Sequence, residues 1–209
     1  MTRYRIRTNL SVIRHIQSGM TKIQKLAALS ALPVAAALVA FPAQAAERPS
    51  CPVPTKAEAK RSADSAIDKP ARGAAAIEGV RVNHLPKGFT YGQVVVTRHD
   101  GITEYGYQWS DDRDGTDRRH RSLWVRVVCW PKASTPAQLK NAPFEIGTFS
   151  GDTKTTKIGN RQVLTQEGDG ALGHGRYAGW VERKGVVVTV MAAQPLVPEL
   201  AKIIKGIRL

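Results

Sequence analysis

Alternation of apolar and polar residues, the mark of a half-buried strand, sets in at residue 89 and recurs at short intervals to the end of the chain. Segments 89–98 and 102–109 flank His99-Asp100-Gly101, and Tyr105, Tyr107 and Trp109 share one side of the second, so the pair is predicted as a hairpin. A polar loop over 110–121 leads to a strand at 123–130, whose apolar side is Leu123, Val125, Val127 and Cys129. Gly159-Asn160 joins segments 154–158 and 161–166, and Lys184-Gly185 joins 176–183 and 186–192, two further hairpins. Ser134-Thr135-Pro136 opens a short helix that Pro143 stops. Leu196, Leu200, Ile203, Ile204 and Ile207 then fall on one face of a closing helix, with Pro198 and Glu199 at its start and Lys202 and Lys205 further along. The expected fold is α+β: an antiparallel sheet of about six strands built from hairpins, with a C-terminal amphipathic helix on one face.

Before residue 80 the pattern fades. Residues 46–79 are rich in Ala, Lys, Arg, Ser and Pro and read as a flexible tether, with a marginal helix around 56–67. Further upstream, Lys22 and Lys25 precede a charge-free apolar run, Pro42 breaks it, and Ala43-Gln44-Ala45 follows. A basic front, an apolar middle and small residues at the end are the parts of a secretory signal, cleaved after Ala45. Met20 offers a start that gives a signal of ordinary length. The alternative is a retained anchor over 26–46, for which Pro33, Pro42 and Gln44 make a poor span. Lipid modification of Cys51 is disfavoured, since Arg48-Pro49-Ser50 precedes it. The expected organisation is a signal peptide over 1–45, a tether over 46–79 and one α+β domain over 80–209.

Export changes the reading of charge and cysteine. The chain has 31 Lys+Arg against 17 Asp+Glu, but six of the basic residues and none of the acidic ones lie in the first 45 positions. The exported part keeps 25 basic residues against 17 acidic, an excess that attracts anionic partners without choosing among them. Cys51 and Cys129 are the only cysteines; in an oxidising compartment an even count predicts a disulfide, the alternative being two free thiols.

Val80-Arg81-Val82-Asn83-His84-Leu85-Pro86-Lys87-Gly88-Phe89 resembles the opening of a family of uncharacterised exported actinobacterial proteins. Gly159-Asn160-Arg161, Trp180-Val181-Glu182-Arg183-Lys184-Gly185-Val186 and the closing helix resemble its ending. The C-terminal half is also similar to half-barrel lipoprotein-carrier and anti-sigma-regulator domains. The first resemblance implies no activity; the second implies a concave sheet face that holds an acyl chain or a peptide.

The familiar chemical motifs do not hold. Gly168-Asp169-Gly170-Ala171-Leu172-Gly173 has dinucleotide-loop spacing but runs into a strand rather than opening a helix, so no nucleotide is expected. Asp112, Asp114, Gly115 and Asp117 suggest a calcium loop, yet its twelfth position falls on Arg121 where a carboxylate is needed. His84, His99, His120 and His174 lack metal-ligand spacing, and Gly147-Thr148-Phe149-Ser150-Gly151 places its serine one position late for a nucleophile elbow. No cofactor, metal or specific nucleic-acid recognition is expected. One concentrated feature remains: Arg118, Arg119 and Arg121, with Arg126 and the aromatics Trp124 and Trp130, are candidates to bind an anion through guanidinium donors. The competing reading pairs the loop arginines with Asp111, Asp112, Asp114 and Asp117. The expected function is an exported, non-catalytic binding domain attracted to an anionic envelope polymer or lipid. The alternatives are a carrier or sensor with an apolar hollow lined by Tyr105, Tyr107 and Trp109, and an enzyme with a dispersed site.

Overall fold

The computed structural model describes residues 51–112, 119–144, 148–168 and 174–209. In chain order these form α1 (Lys56–Ala63), β1 (Arg81–Val82), β2 (Tyr91–His99), β3 (Ile102–Ser110), β4 (Ser122–Cys129), a 3-10 helix (Pro136–Asn141), β5 (Thr153–Ile158), β6 (Arg161–Glu167), β7 (Arg176–Arg183), β8 (Val186–Ala192), a second 3-10 helix (Gln194–Glu199), α2 (Leu200–Gly206) and β9 (Ile207–Arg208). The fold is α+β, as the hairpin rhythm predicts. Seven antiparallel strands run in the order β2-β3-β4-β8-β7-β6-β5, and β1 pairs with β9 in a separate ribbon. Two meanders therefore meet where β4 pairs with β8. That junction lies mid-sheet with both faces covered, and all seven residues of β8 are buried, which erases alternation there. The tight turn between β2 and β3 puts Asp100 and Gly101 both at positive φ, 46° and 74°, as a two-residue hairpin loop requires.

The first face of the sheet carries Val94, Tyr105, Tyr107, Trp109, Leu123, Val125, Val127, Trp180, Val188 and Val190 beneath Leu196, Leu200, Ile203, Ile204 and Ile207. All five predicted helix positions are buried. The α-helical turn itself starts only at Leu200, because Pro198 lacks an N–H and sits in the preceding 3-10 segment. Arg161 fastens the helix end. It donates to the carbonyls of Ile204 (2.7 Å) and Ile207 (2.8 Å), grips Glu182 with two nitrogens (2.8 and 3.1 Å) and stacks on Trp180.

Residues 51–79 do not stand off as a tether. Ala76 and Ile77 are buried in the main core with Val80. Tyr107 Oη accepts from the N–H of Ala71 (3.0 Å), Trp109 Nε1 donates to the Ala71 carbonyl (2.8 Å), and Tyr105 Oη accepts from the N–H of Glu78 (2.7 Å). Ser62 and Asp68 bond the outer edge of β2 at Val96 and Gly92. Composition misses this because the anchoring groups are main-chain amides, which carry no residue signature and need partners once buried. The marginal helix is real but shorter than expected, ending at Ala63, and Thr55 with Glu58 forms its capping box. A disulfide joins Cys51 to Cys129 with Cα atoms 5.8 Å apart, as the cysteine count predicts. Among the described residues no helix is long and apolar enough to cross a membrane. The expected signal segment over 1–45 and its expected cleavage position lie outside the described residues.

The clamp on α2 makes an acid-sensitivity prediction. Burial pushes the Glu182 carboxyl up, but hydrogen bonds from Arg161 and Trp180 outweigh it and hold the group below the ordinary glutamate value of 4.5. A carboxyl depressed in the folded state stabilises at neutral pH, and that contribution fades as pH falls through its folded value. Glu182→Gln should therefore be less stable than wild type at pH 7 and converge toward it below pH 4.5, as read by urea unfolding at a series of pH values. A constant difference across the range would mean that the carboxylate charge plays no part.

Candidate functional site

The four arginines singled out in the sequence do not assemble into one site. Arg118 lies outside the described residues, and Arg119 is exposed just before β4. Arg121 donates its main-chain N–H to Asp111 Oδ1 (2.7 Å), its guanidinium to the Lys87 carbonyl, and lies over the Phe89 ring. Phe89 belongs to the first-face core, whereas Arg126 touches Phe144 of the second-face cluster. The two arginines thus leave β4 on opposite sides, as strand alternation from 121 to 126 dictates. Of the calcium-like stretch only Asp112 is described, and of the glycine-rich stretch only Gly168. Its N–H bonds the Gly175 carbonyl (2.8 Å), and strand β7 follows. Among the described residues no three His, Cys, Asp or Glu side chains converge to hold a metal.

Arg126 instead centres a buried polar cluster on the second face, 1% exposed. Its Nη1 donates to Glu104 across the β3–β4 ladder, and its Nε to Thr189 Oγ1 on β8 (3.0 Å). His99 Nε2 bonds the other Glu104 oxygen at 3.0 Å. The guanidinium is sandwiched between the Trp124 and Phe144 rings at 5.1 and 5.2 Å. Burial pulls the Arg126 pKa down and Glu104 opposes the shift; a guanidinium stays charged throughout the physiological range. Two donors in this cluster, Arg126 Nη2 and Trp124 Nε1, are buried without a hydrogen-bond partner among the described residues. Trp124 reaches diagonally over Gly106, where a Cβ would lie 2.8 Å from Nε1 and 2.6 Å from the Val125 carbonyl, so only glycine leaves the indole its place.

A second concentration of arginine is accessible. The β1–β9 register sets Arg81 directly opposite Arg208, both exposed, at a cleft of about 570 Å³ lined also by Glu58, Glu78 and Leu209. Among the described residues, Arg81 has no carboxylate within ion-pair distance. Among the described residues Arg208 bonds through Nη1 alone, to the carbonyls of Lys205 and Ile207. Glu58 is committed to Thr55 and Tyr105. Two like charges opposed on a ladder repel, and an anion between them would relieve that. Neither arginine stands out in the sequence, because two-residue strands at opposite ends of a chain leave no periodic trace. The only hints are the alternations Val80-Arg81-Val82 and Ile207-Arg208-Leu209.

Tyr105, Tyr107 and Trp109, the candidate lining of an apolar hollow, are at most 3% exposed and lie under the chain's own residues 71–85 and α2. No protein family, curated protein or solved structure matches the chain.

Proposed function

We propose that this is an exported, non-catalytic binding domain that holds an anionic group of an envelope polymer between Arg81 and Arg208. One observation carries the reading: two guanidinium groups without ion-paired carboxylates among the described residues stand on opposed positions of the β1–β9 ribbon at a cleft of ligand size. Planar guanidinium forks suit phosphate and carboxylate oxygens, and the basic excess outside the signal segment draws such groups in from a distance.

The test is binding of the exported domain, residues 46–209, to polyphosphate at several salt concentrations. Arg81→Ser/Arg208→Ser should abolish most of the binding and flatten its salt dependence while leaving the fold intact, since both side chains are exposed. Lys154→Ser/Lys157→Ser removes the same charge from exposed β5 and should have little effect. Equal losses from the two pairs would reduce the site to general basicity. A selective loss with Arg119→Ser/Arg121→Ser would move it to the loop before β4.

A further inference from the structure

We propose that the unit held at the Arg81–Arg208 cleft is zwitterionic: a phosphodiester of a soluble polymer that carries a primary ammonium a few bonds away, seated against Glu78. This rests on Arg81 and Arg208 holding the anion, as proposed above. The cleft is lined by those two arginines and by two glutamates, Glu58 and Glu78. Among the described residues, neither glutamate lies within ion-pair distance of either arginine. Opposite charges thus share the cleft without neutralising each other. A purely anionic polymer would satisfy the arginines while pressing its charge on the glutamates, whereas a ligand with both signs complements the whole cleft.

The fold fixes both glutamates. Tyr105 Oη donates to Glu58 Oε1 (2.7 Å) and accepts from the main-chain N–H of Glu78 (2.7 Å), so one phenol keeps the two residues together. Burial pushes the Glu58 carboxyl up, but hydrogen bonds from Tyr105 and Thr55 outweigh it and hold the group below 4.5, ionised at neutral pH. Its oxygens are engaged by Thr55 and Tyr105, so Glu58 supplies a fixed negative charge, and the exposed Glu78 is the carboxylate that meets the ammonium. Val80 donates its N–H to the Ile77 carbonyl (3.0 Å), closing a tight turn with Glu78 and Gly79 at its centre and Gly79 at φ 74°. Arg81 follows at once. Three residues of chain span at most about 11 Å, and the turn shortens that, so Glu78 and Arg81 suit a ligand whose two charges are close together.

The test compares glycerophosphoethanolamine with glycerophosphoglycerol, two phosphodiesters of which only the first carries an amine. Each is titrated into the ¹⁵N-labelled exported domain, and dissociation constants are read from the amide shifts of residues 78–82. The zwitterion should bind about three- to fivefold more tightly, the contribution of one partly exposed ion pair. Glu78→Gln should erase that ratio by weakening the zwitterion alone; the side chain is exposed, and the N–H that bonds Tyr105 is retained. Arg81→Ser/Arg208→Ser should abolish binding of both compounds. Equal affinities in the wild-type domain would overturn the zwitterion while leaving the anion site standing. A ratio that survives Glu78→Gln would overturn it too, as would binding to phosphatidylethanolamine vesicles without binding to the soluble compound. No shift with either compound at millimolar concentration would also overturn it, and the polyphosphate titration then decides the anion site separately.

Discussion

Glu104→Ala is expected to lower the unfolding free energy by roughly 3–5 kcal/mol, the range for removing one partner of a buried ion pair. Glu104 is 3% exposed and Arg126 1%. Without the carboxylate, the guanidinium keeps Thr189 and two aromatic faces but loses its one counter-charge among the described residues. A charge buried beneath Trp124 and Phe144 on the second face of a central strand has no route to water unless that cover opens. Domains of this size have about 5–15 kcal/mol of stability in all, so the variant should lie close to unfolding. Urea denaturation gives the value, and a loss under about 1 kcal/mol would mean that water reaches the pair in solution.

The double replacement Glu104→Leu/Arg126→Met separates charge from packing. Apolar side chains of similar size can substitute for a buried pair at little net cost, so the double variant should recover to within about 1 kcal/mol of wild type. Failure to recover would locate the stability in the Thr189 and His99 hydrogen bonds and the ring contacts instead.

Arg126 also shows where local reading stops. Strands β7 and β8 match the expected segments at 176–183 and 186–192 residue for residue, because the Lys184-Gly185 turn that bounds them is a local signal. The apolar side of β4 was legible as Leu123, Val125, Val127 and Cys129. On its other side, Arg126 beside Trp124 read as part of a candidate anion site. What buries Arg126 is the pairing of β4 with β8, from the second meander, and a carboxylate 22 residues away. No local pattern encodes strand order. The same limit applies to residues 51–79, whose attachment depends on main-chain groups meeting Tyr105, Tyr107 and Trp109. It applies as well to the Arg81–Arg208 pair, which exists only because the two ends of the domain meet. A Val-Arg-Val run inside a strand is a sign of burial only once the strand is known to be central.

Removing the disulfide by Cys51→Ser/Cys129→Ser should cost roughly 2–5 kcal/mol, and the loss should be uneven along the chain. The bond closes a loop of 78 residues, for which the chain-entropy estimate is about 4–5 kcal/mol. Only part of that loop depends on the bond for its place. Residues 71–82 hold on through three hydrogen bonds between their main chain and buried aromatic side chains and through Ile77, Val80 and Val82 in the core. α1 has no buried residue; its contacts are Ser62 on Val96, Arg61 on Asp68 and Glu58 on Tyr105. Hydrogen exchange of the double variant should therefore show amides of 52–65 losing protection first, while those of 76–82 exchange only with global unfolding. The wild-type oxidised protein, digested without reduction, should yield the two cysteine peptides linked. Uniform loss of protection from 52 to 82 would make the strap one cooperative piece, with the disulfide as its main attachment. Unchanged stability in the variant would mean that the ordered N-terminal segment owes nothing to the covalent link.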